Sequence, residues 1–286
     1  MKKTIFAFIA AMLVVPCFAQ LDSSNLNSVF GKKGMVSGNV YKVAFPRTDL
    51  NVKVRDFKVA PGFALGSWVG IIQTGNNAMM MGDLVLLDIE VPKVINKLVQ
   101  EGLQITAIHN HLINEKPAIK YIHYHGEGNA VDLARKIKAV LEVTGTPLKA
   151  PSQNAKPMNV DWSKVTDVLG TNGKKSGEIL QYSFPRNEKL TVGGMEMPPS
   201  MGMATGINFQ MEGNRAAITG DFVLVADEVN PVVKALTQNG ITPTAIHNHM
   251  LNDNPHLFMM HFWAVGDPGK LANGLKEALE KTNIRR

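Results

Sequence analysis

The chain has 286 residues, 45% of them hydrophobic and 19% charged, with a formal net charge of +6 and a single cysteine, Cys17. One cysteine leaves no internal disulfide and no thiolate-rich metal site. The positive charge is mild and its basic runs, such as Lys32-Lys33 and Lys174-Lys175, are only dipeptides, so nucleic-acid binding has little support.

The first 19 residues read as an export leader: Lys2 and Lys3, an apolar stretch over 4–15, and a small-x-small site at Cys17-Phe-Ala19, with cleavage expected after Ala19. The apolar stretch is short for a membrane span and runs into polar residues, and the mature chain has no other segment of membrane length. Lipidation of Cys17 is the less favoured alternative, because Pro16 occupies the position where lipoprotein processing needs a small residue. The predicted location is periplasmic or secreted.

Beyond the leader the sequence is written twice. Phe45-Pro-Arg47 returns as Phe184-Pro-Arg186, 139 residues on; Gly82-Asp-Leu-Val-Leu86 returns as Gly220-Asp-Phe-Val-Leu224, 138 residues on. This slip in offset predicts a short insertion near Pro61 or Pro199. The repeats divide the chain into a first domain over 20–143, a Pro-rich polar linker over 144–157 and a second domain over 158–286.

Within each copy, an early part rich in Gly and Pro (36–81 and 176–218) predicts strands and turns. Continuous apolar runs over 84–89 and 222–226 predict buried strands. Val91, Val94, Ile95, Leu98 and Val99 recur at helical spacing, closed by Gly102, and the second copy offers Asn230 as a cap with Pro231 at the first helical position. A strand over 104–112, a turn at Asn114-Glu-Lys-Pro117, a strand over 118–125 broken by Gly126-Glu-Gly128, and a closing helix follow. That helix carries Leu133, Ala134, Ile137 and Leu141; its counterpart starts at Asp267-Pro268. Helices on one face of a largely antiparallel sheet make an α+β domain, present twice, and equal contents suit a pseudo-twofold arrangement.

All eight histidines fall in this second half. Thr106-Ala-Ile-His-Asn-His-Leu112 with His123 matches Thr244-Ala-Ile-His-Asn-His-Met250 with His261, at an offset of 138 throughout. Residues two apart on a strand share a face, so His109 and His111 project together. A hairpin turning at Asn114-Glu115 puts His123 opposite Ala107 and diagonal to His109, within reach of long side chains. Imidazole is a common metal ligand and acid/base. The shared set is therefore His109, His111 and His123 with His247, His249 and His261, with Asp83, Glu115, Asp221 and Asp253 as candidate carboxylate partners. His125 (Trp263 in the second copy) and His256 are private to one copy each.

Arg47 and Arg186 either hold an anion or pair with Glu90 and Glu228, and the ion pair is favoured. Met79 to Met81 and Met195, Met197, Met201 and Met203 are soft copper ligands or core filler, without a regular Met-x-x-Met array. No serine or cysteine nucleophile motif is present.

The combination Phe-Pro-Arg, Gly-Asp-Leu-Val-Leu, Thr-Ala-Ile-His-Asn-His-Leu and His-x-x-Gly-x-Gly resembles the LppY/LpqO family of bacterial exported proteins and lipoproteins, over nearly the whole mature chain. The resemblance implies an exported protein with this duplicated domain and brings no activity with it. Pro16 before Cys17 departs from the lipoprotein members. Three readings stand: a protein that binds a divalent transition metal (zinc, copper, nickel, iron or manganese) or a small ligand through the histidine strands; a metal-dependent hydrolase or lyase using the same residues; and a module whose histidines only hydrogen-bond. Partners and oligomeric state are open.

Overall fold

A computed structural model describes residues 21–75, 77–149 and 160–285. The expected leader with Cys17 and its expected cleavage site, and residues 150–157 of the expected linker, lie outside them. The first repeat opens with α1 (Ser23–Phe30), β1 (Met35–Ser37), β2 (Val40–Pro46), β3 (Lys53–Val54), β4 (Phe57–Lys58), α2 (Pro61–Ala64), β5 (Gly66–Thr74) and β6 (Asn77–Leu87). It continues through α3 (Val91–Gln100), β7 (Gln104–His109), β8 (Glu115–Lys116), β9 (Ile119–Gly128) and α4 (Ala130–Leu141). The second repeat follows the same order except that a short 3-10 turn (Pro199–Met201) stands in the place of α2: α5 (Ser163–Leu169), β10 (Lys174–Ser176), β11 (Ile179–Pro185), β12 (Thr191–Val192), β13 (Met195–Glu196), β14 (Ala204–Glu212) and β15 (Arg215–Leu224). It ends with α6 (Ala226–Gln238), β16 (Thr242–Asn248), β17 (Asp253–Asn254), β18 (Phe258–Gly266) and α7 (Pro268–Leu279).

Each repeat builds a six-stranded antiparallel sheet, β1-β2-β5-β6-β9-β7 and β10-β11-β14-β15-β18-β16, plus a three-stranded sheet of short strands. The α+β expectation holds. Along β6 the residues alternate between two apolar environments. Ala78, Met80, Leu84 and Leu86 pack with Leu98 of α3 and Leu133 and Ile137 of α4, whereas Met79, Met81 and Val85 face clusters shared with the other sheet. Burial on both faces explains why β6 and β15 read as continuous apolar runs. The layers are therefore helices, sheet, sheet, helices, with the two sheets back to back. The methionines Met79, Met81, Met197, Met201 and Met203 fill one of the two clusters between the sheets, together with Val40, Ile72 and Val223, as core packing.

Several boundaries differ from expectation for local reasons. The buried strands start earlier, at Asn77 and Arg215, and β9 runs through Gly126 to Gly128. Gly126 is a packing glycine: a Cβ there would come 2.7 Å from Leu103. In the second repeat α6 begins at Ala226, so Asn230 is not its cap and Pro231 lies inside it. The Glu228 carboxylate accepts from Val225 N–H at 3.0 Å and fixes the start five residues earlier. The slip in offset sits before Pro61. Pro46 pairs with Gly66 and Pro185 with Ala204, whereas Lys53 pairs with Lys116 and Thr191 with Asn254, so the extra residue of the first repeat lies between Arg47 and Val52. The start of the linker is pinned to the first repeat, with Gly145 N–H donating to Glu90 at 2.6 Å.

Candidate functional site

Where the two sheets face each other, six histidines meet. His109, the last residue of β7, sits diagonal to His123, which pairs with Ala107 on one side and Asp83 of β6 on the other. His261 of β18 likewise lies between Ala245 and Asp221, diagonal to His247. His109 Nε2 is 2.8 Å from His123 Nε2, and His247 Nε2 is 2.9 Å from His261 Nε2. The rings of His109 and His247 stack across the seam at 3.7 Å and 13°.

His111 does not join its own copy's pair. Strand β7 ends at His109, so the alternation of a strand no longer holds two residues later. His111 is carried to the other half, where its ring lies 3.9 Å from that of His261. His249 makes the reciprocal exchange, 4.3 Å from His123. The motif's other polar residues hold the halves together: Asn248 Nδ2 donates to Thr106 O at 2.7 Å and Thr244 Oγ1 to His111 O at 2.8 Å. Donor atoms of His109, His123 and His247 lie within 4.8 Å of one another, as do those of His111, Asp221 and His261.

Hydrogen bonding fixes the tautomers. His247 Nδ1 lies 2.8 Å from the Asn248 carbonyl, and His261 Nδ1 faces two acceptors, Gly220 O at 3.0 Å and Asp221 Oδ1 at 2.9 Å. Both Nδ1 atoms therefore carry the proton in the neutral rings, and two Nε2 lone pairs point at each other. A cation shared between them, a proton or a metal ion, satisfies such a contact. In the first repeat His109 Nδ1 likewise faces Asn110 O at 3.0 Å, while Asp83 stands back at 3.9 Å from His123 Nδ1. Both ring nitrogens of His111 and Nδ1 of His249 and His123 are buried without a hydrogen-bond partner, which costs about 1–3 kcal/mol for each group left so.

Five of the six rings bind a proton poorly. Burial first, and then the charge of His261, push His111 down to about 3 and His247 down to about 4. Burial takes His249 to about 4, and burial with the surrounding imidazoles holds His109 and His123 well below the ordinary range. The two aspartates diverge. Burial and the nearby Asp221 charge push Asp83 up. Burial also opposes ionisation of Asp221, but His261, His111 and His247 outweigh it and hold the carboxyl below its usual range.

Other candidates lie elsewhere. Glu115 accepts from Ile119 N–H at 3.2 Å, and Asp253 binds Leu257 N–H at 3.0 Å and His256 Nδ1 at 2.8 Å; neither is among the groups that converge on the seam. His125 meets Gln104 at 3.2 Å and His256 is exposed. Arg47 is fully buried against Glu90 at 2.7 Å and Asp49 at 2.9 Å, and Arg186 against Glu228 at 2.5 Å and Glu188 at 2.8 Å. Carboxylates therefore fill both guanidinium forks, which leaves no room for a bound anion. Sequence reasoning missed Trp68 and its counterpart Gly206, which pair with Asp83 and Asp221 across β5–β6 and β14–β15; the signal was their mismatch at the 138-residue offset.

Among the described residues, no helix is long and apolar enough to cross a membrane. No curated protein matches the sequence. Among solved structures, MSM0271, a double-ringed trimeric shell protein from the RMM microcompartment, shows 9% identity at a TM-score of 0.20, covering 73% of this chain and 84% of that one. EtuB from Clostridium kluyveri shows 10% identity at 0.20, covering 87% and 88%. The trimeric bacterial microcompartment shell protein PduB shows 12% at 0.19, covering 94% and 92%. Scores this low carry no argument about fold, assembly or function. Residues 24–143 and 163–281 each match the family described as Domain of Unknown Function (DUF1259), and the chain belongs to that family with two copies of its domain.

Proposed function

We propose that this protein binds divalent transition metal ions at the seam between its two repeats, through His109, His123, His247 and His261 with His111, His249 and Asp221. The observation that carries this reading is the pair of Nε2 atoms of His247 and His261, 2.9 Å apart with both Nδ1 protons already committed. Histidine ligands that donate their second N–H to a backbone carbonyl, as His247 does to Asn248 and His261 to Gly220, are a usual environment of a metal-bound imidazole. The lowered proton affinity of His247 and of the neighbouring His109, His111, His123 and His249 favours a metal ion over a proton as the shared cation. A donor set of imidazole and carboxylate suits zinc, copper, nickel, iron or manganese. The resemblance to the LppY/LpqO family and the leader-like first 19 residues support a narrower placement among exported proteins of that kind, periplasmic or secreted.

The test is metal analysis of untagged protein, followed by thermal melting with each of these ions. We expect metal to co-purify or to raise the melting temperature, and the double variant His109→Ala/His247→Ala to weaken binding by at least about 100-fold. Protein that carries no metal and melts unchanged with all five ions has histidines that only hydrogen-bond, and the proposal fails.

A further inference from the structure

The two triads at the seam, His111–Asp221–His261 and its counterpart His249–Asp83–His123, are equivalent in sequence and unequal in access. Asp83 stands opposite Trp68, and its side chain is 13% exposed. The Trp68 ring continues over this side of the seam: a Cβ on Gly202 would lie 3.0 Å from His249 Nε2 and 3.2 Å from the Trp68 ring, so the two rings flank the same glycine. Asp221 stands opposite Gly206 instead. A Cβ built on Gly206 meets nothing within 4 Å, and the Asp221 side chain is 41% exposed although it lies between two sheets. A space that a tryptophan fills on one side is therefore open on the other, beside a triad in which both nitrogens of buried His111 lack a partner.

We infer that the His111–Asp221–His261 triad holds its metal ion with a coordination position open toward Gly206, and that this position takes a small anion. The inference rests on the metal-binding reading. The class of ligand follows from charge. A divalent ion with two neutral imidazoles and one carboxylate keeps a net positive charge. An open position next to three protein ligands is also what distinguishes a reactive metal site from a closed structural one. The counterpart triad is sealed by Trp68 and offers no such position.

The experiment uses the full chain loaded with cobalt(II), whose visible absorption reports its ligands, titrated with sodium azide. Azide is expected to shift the spectrum of the unaltered protein. In Gly206→Trp the azide affinity falls at least tenfold while cobalt content is unchanged, and Gly206→Leu gives the same readout with a smaller side chain if the tryptophan prevents folding. Trp68→Gly gains a second azide response. Cobalt that binds but is blind to azide overturns the open position alone and leaves metal binding standing. An equal azide response in the Gly206 variants places the open position elsewhere and also overturns the inference. Failure to bind cobalt removes both readings together.

Discussion

The two repeats put the same side chains on the same strands and end with different chemistry at the seam. In the first, Asp83 stands back from His123 and is pushed toward its neutral form under Trp68. In the second, Asp221 lies 2.9 Å from His261 Nδ1, stays ionised and faces open space at Gly206. Two adjacent carboxylates cannot both ionise cheaply away from water, and the split gives each a separate role. The difference teaches that duplication fixes the scaffold, while one position in a neighbouring strand decides which copy's aspartate faces open space.

The comparison is sharpest where the repeats agree. Arg47 and Arg186 each donate to the strand carbonyl before the helix, Val85 O and Val223 O at 2.7 Å, and each pairs with a carboxylate that also receives the chain end of its own repeat. Glu90 accepts from Gly145 N–H and Glu228 from Asn283 N–H at 2.8 Å. Removing either arginine strands a buried carboxylate, so Arg47→Ala and Arg186→Ala should each destabilise by about 3–5 kcal/mol. Chemical denaturation checks this. The Arg47 change should be the more severe, because Glu90 is 5% exposed and Glu228 12%. Losses below 1 kcal/mol would mean these networks do not anchor the repeats.

Acid presses on the seam itself. His109, His111, His123, His247 and His249 each have a folded-state pKa below the ordinary 6.5, so their contribution to stability is fully present above pH 6.5 and is lost as pH falls toward the folded value. Metal-free protein should therefore lose on the order of 3 kcal/mol for each of His247 and His249 between pH 6.5 and 4, as they come under pressure to charge. Bound metal should move the loss to lower pH. Melting curves across this range test both statements. A flat profile in metal-free protein would show that the imidazoles are solvated, contrary to the close rings at the seam.

Much of this was legible in the sequence. The 138-residue offset marked the repeat, and period-two alternation placed His123 opposite Ala107, because strand pairing is set by local pattern and turn length. The exchange of His111 and His249 between halves was not legible. It depends on β7 ending at His109 and on the packing of one sheet on the other, which no local pattern encodes. Glu115 and Asp253 looked like ligands by proximity in sequence, yet their carboxylates satisfy backbone amides at Ile119 and Leu257. Gly82-Asp83 carried a clear signal whose meaning needed the fold. A Cβ at Gly82 would strike Trp68 O and the Tyr124 hydroxyl, so the glycine lets the strands close beside the aspartate.

The smallest expected effect is the most direct test of the difference between the repeats. In metal-free protein at neutral pH, Asp221→Asn removes an ionised carboxylate bonded to His261. Its depressed pKa contributes stability above the ordinary 3.8, so the variant should lose about 1 kcal/mol, a modest figure because the group is partly exposed to water. Asp83 has the opposite sign. Its raised pKa means that stability is lost as pH climbs through the folded value, so Asp83→Asn should leave the protein equally stable or slightly more so at neutral pH. With metal bound, Asp221→Asn should weaken affinity by about 10–100-fold and Asp83→Asn by less than about tenfold. Calorimetric melting and metal titration of the two variants decide the matter. Equal effects on both measurements would make the two triads alike, whatever their difference in exposure.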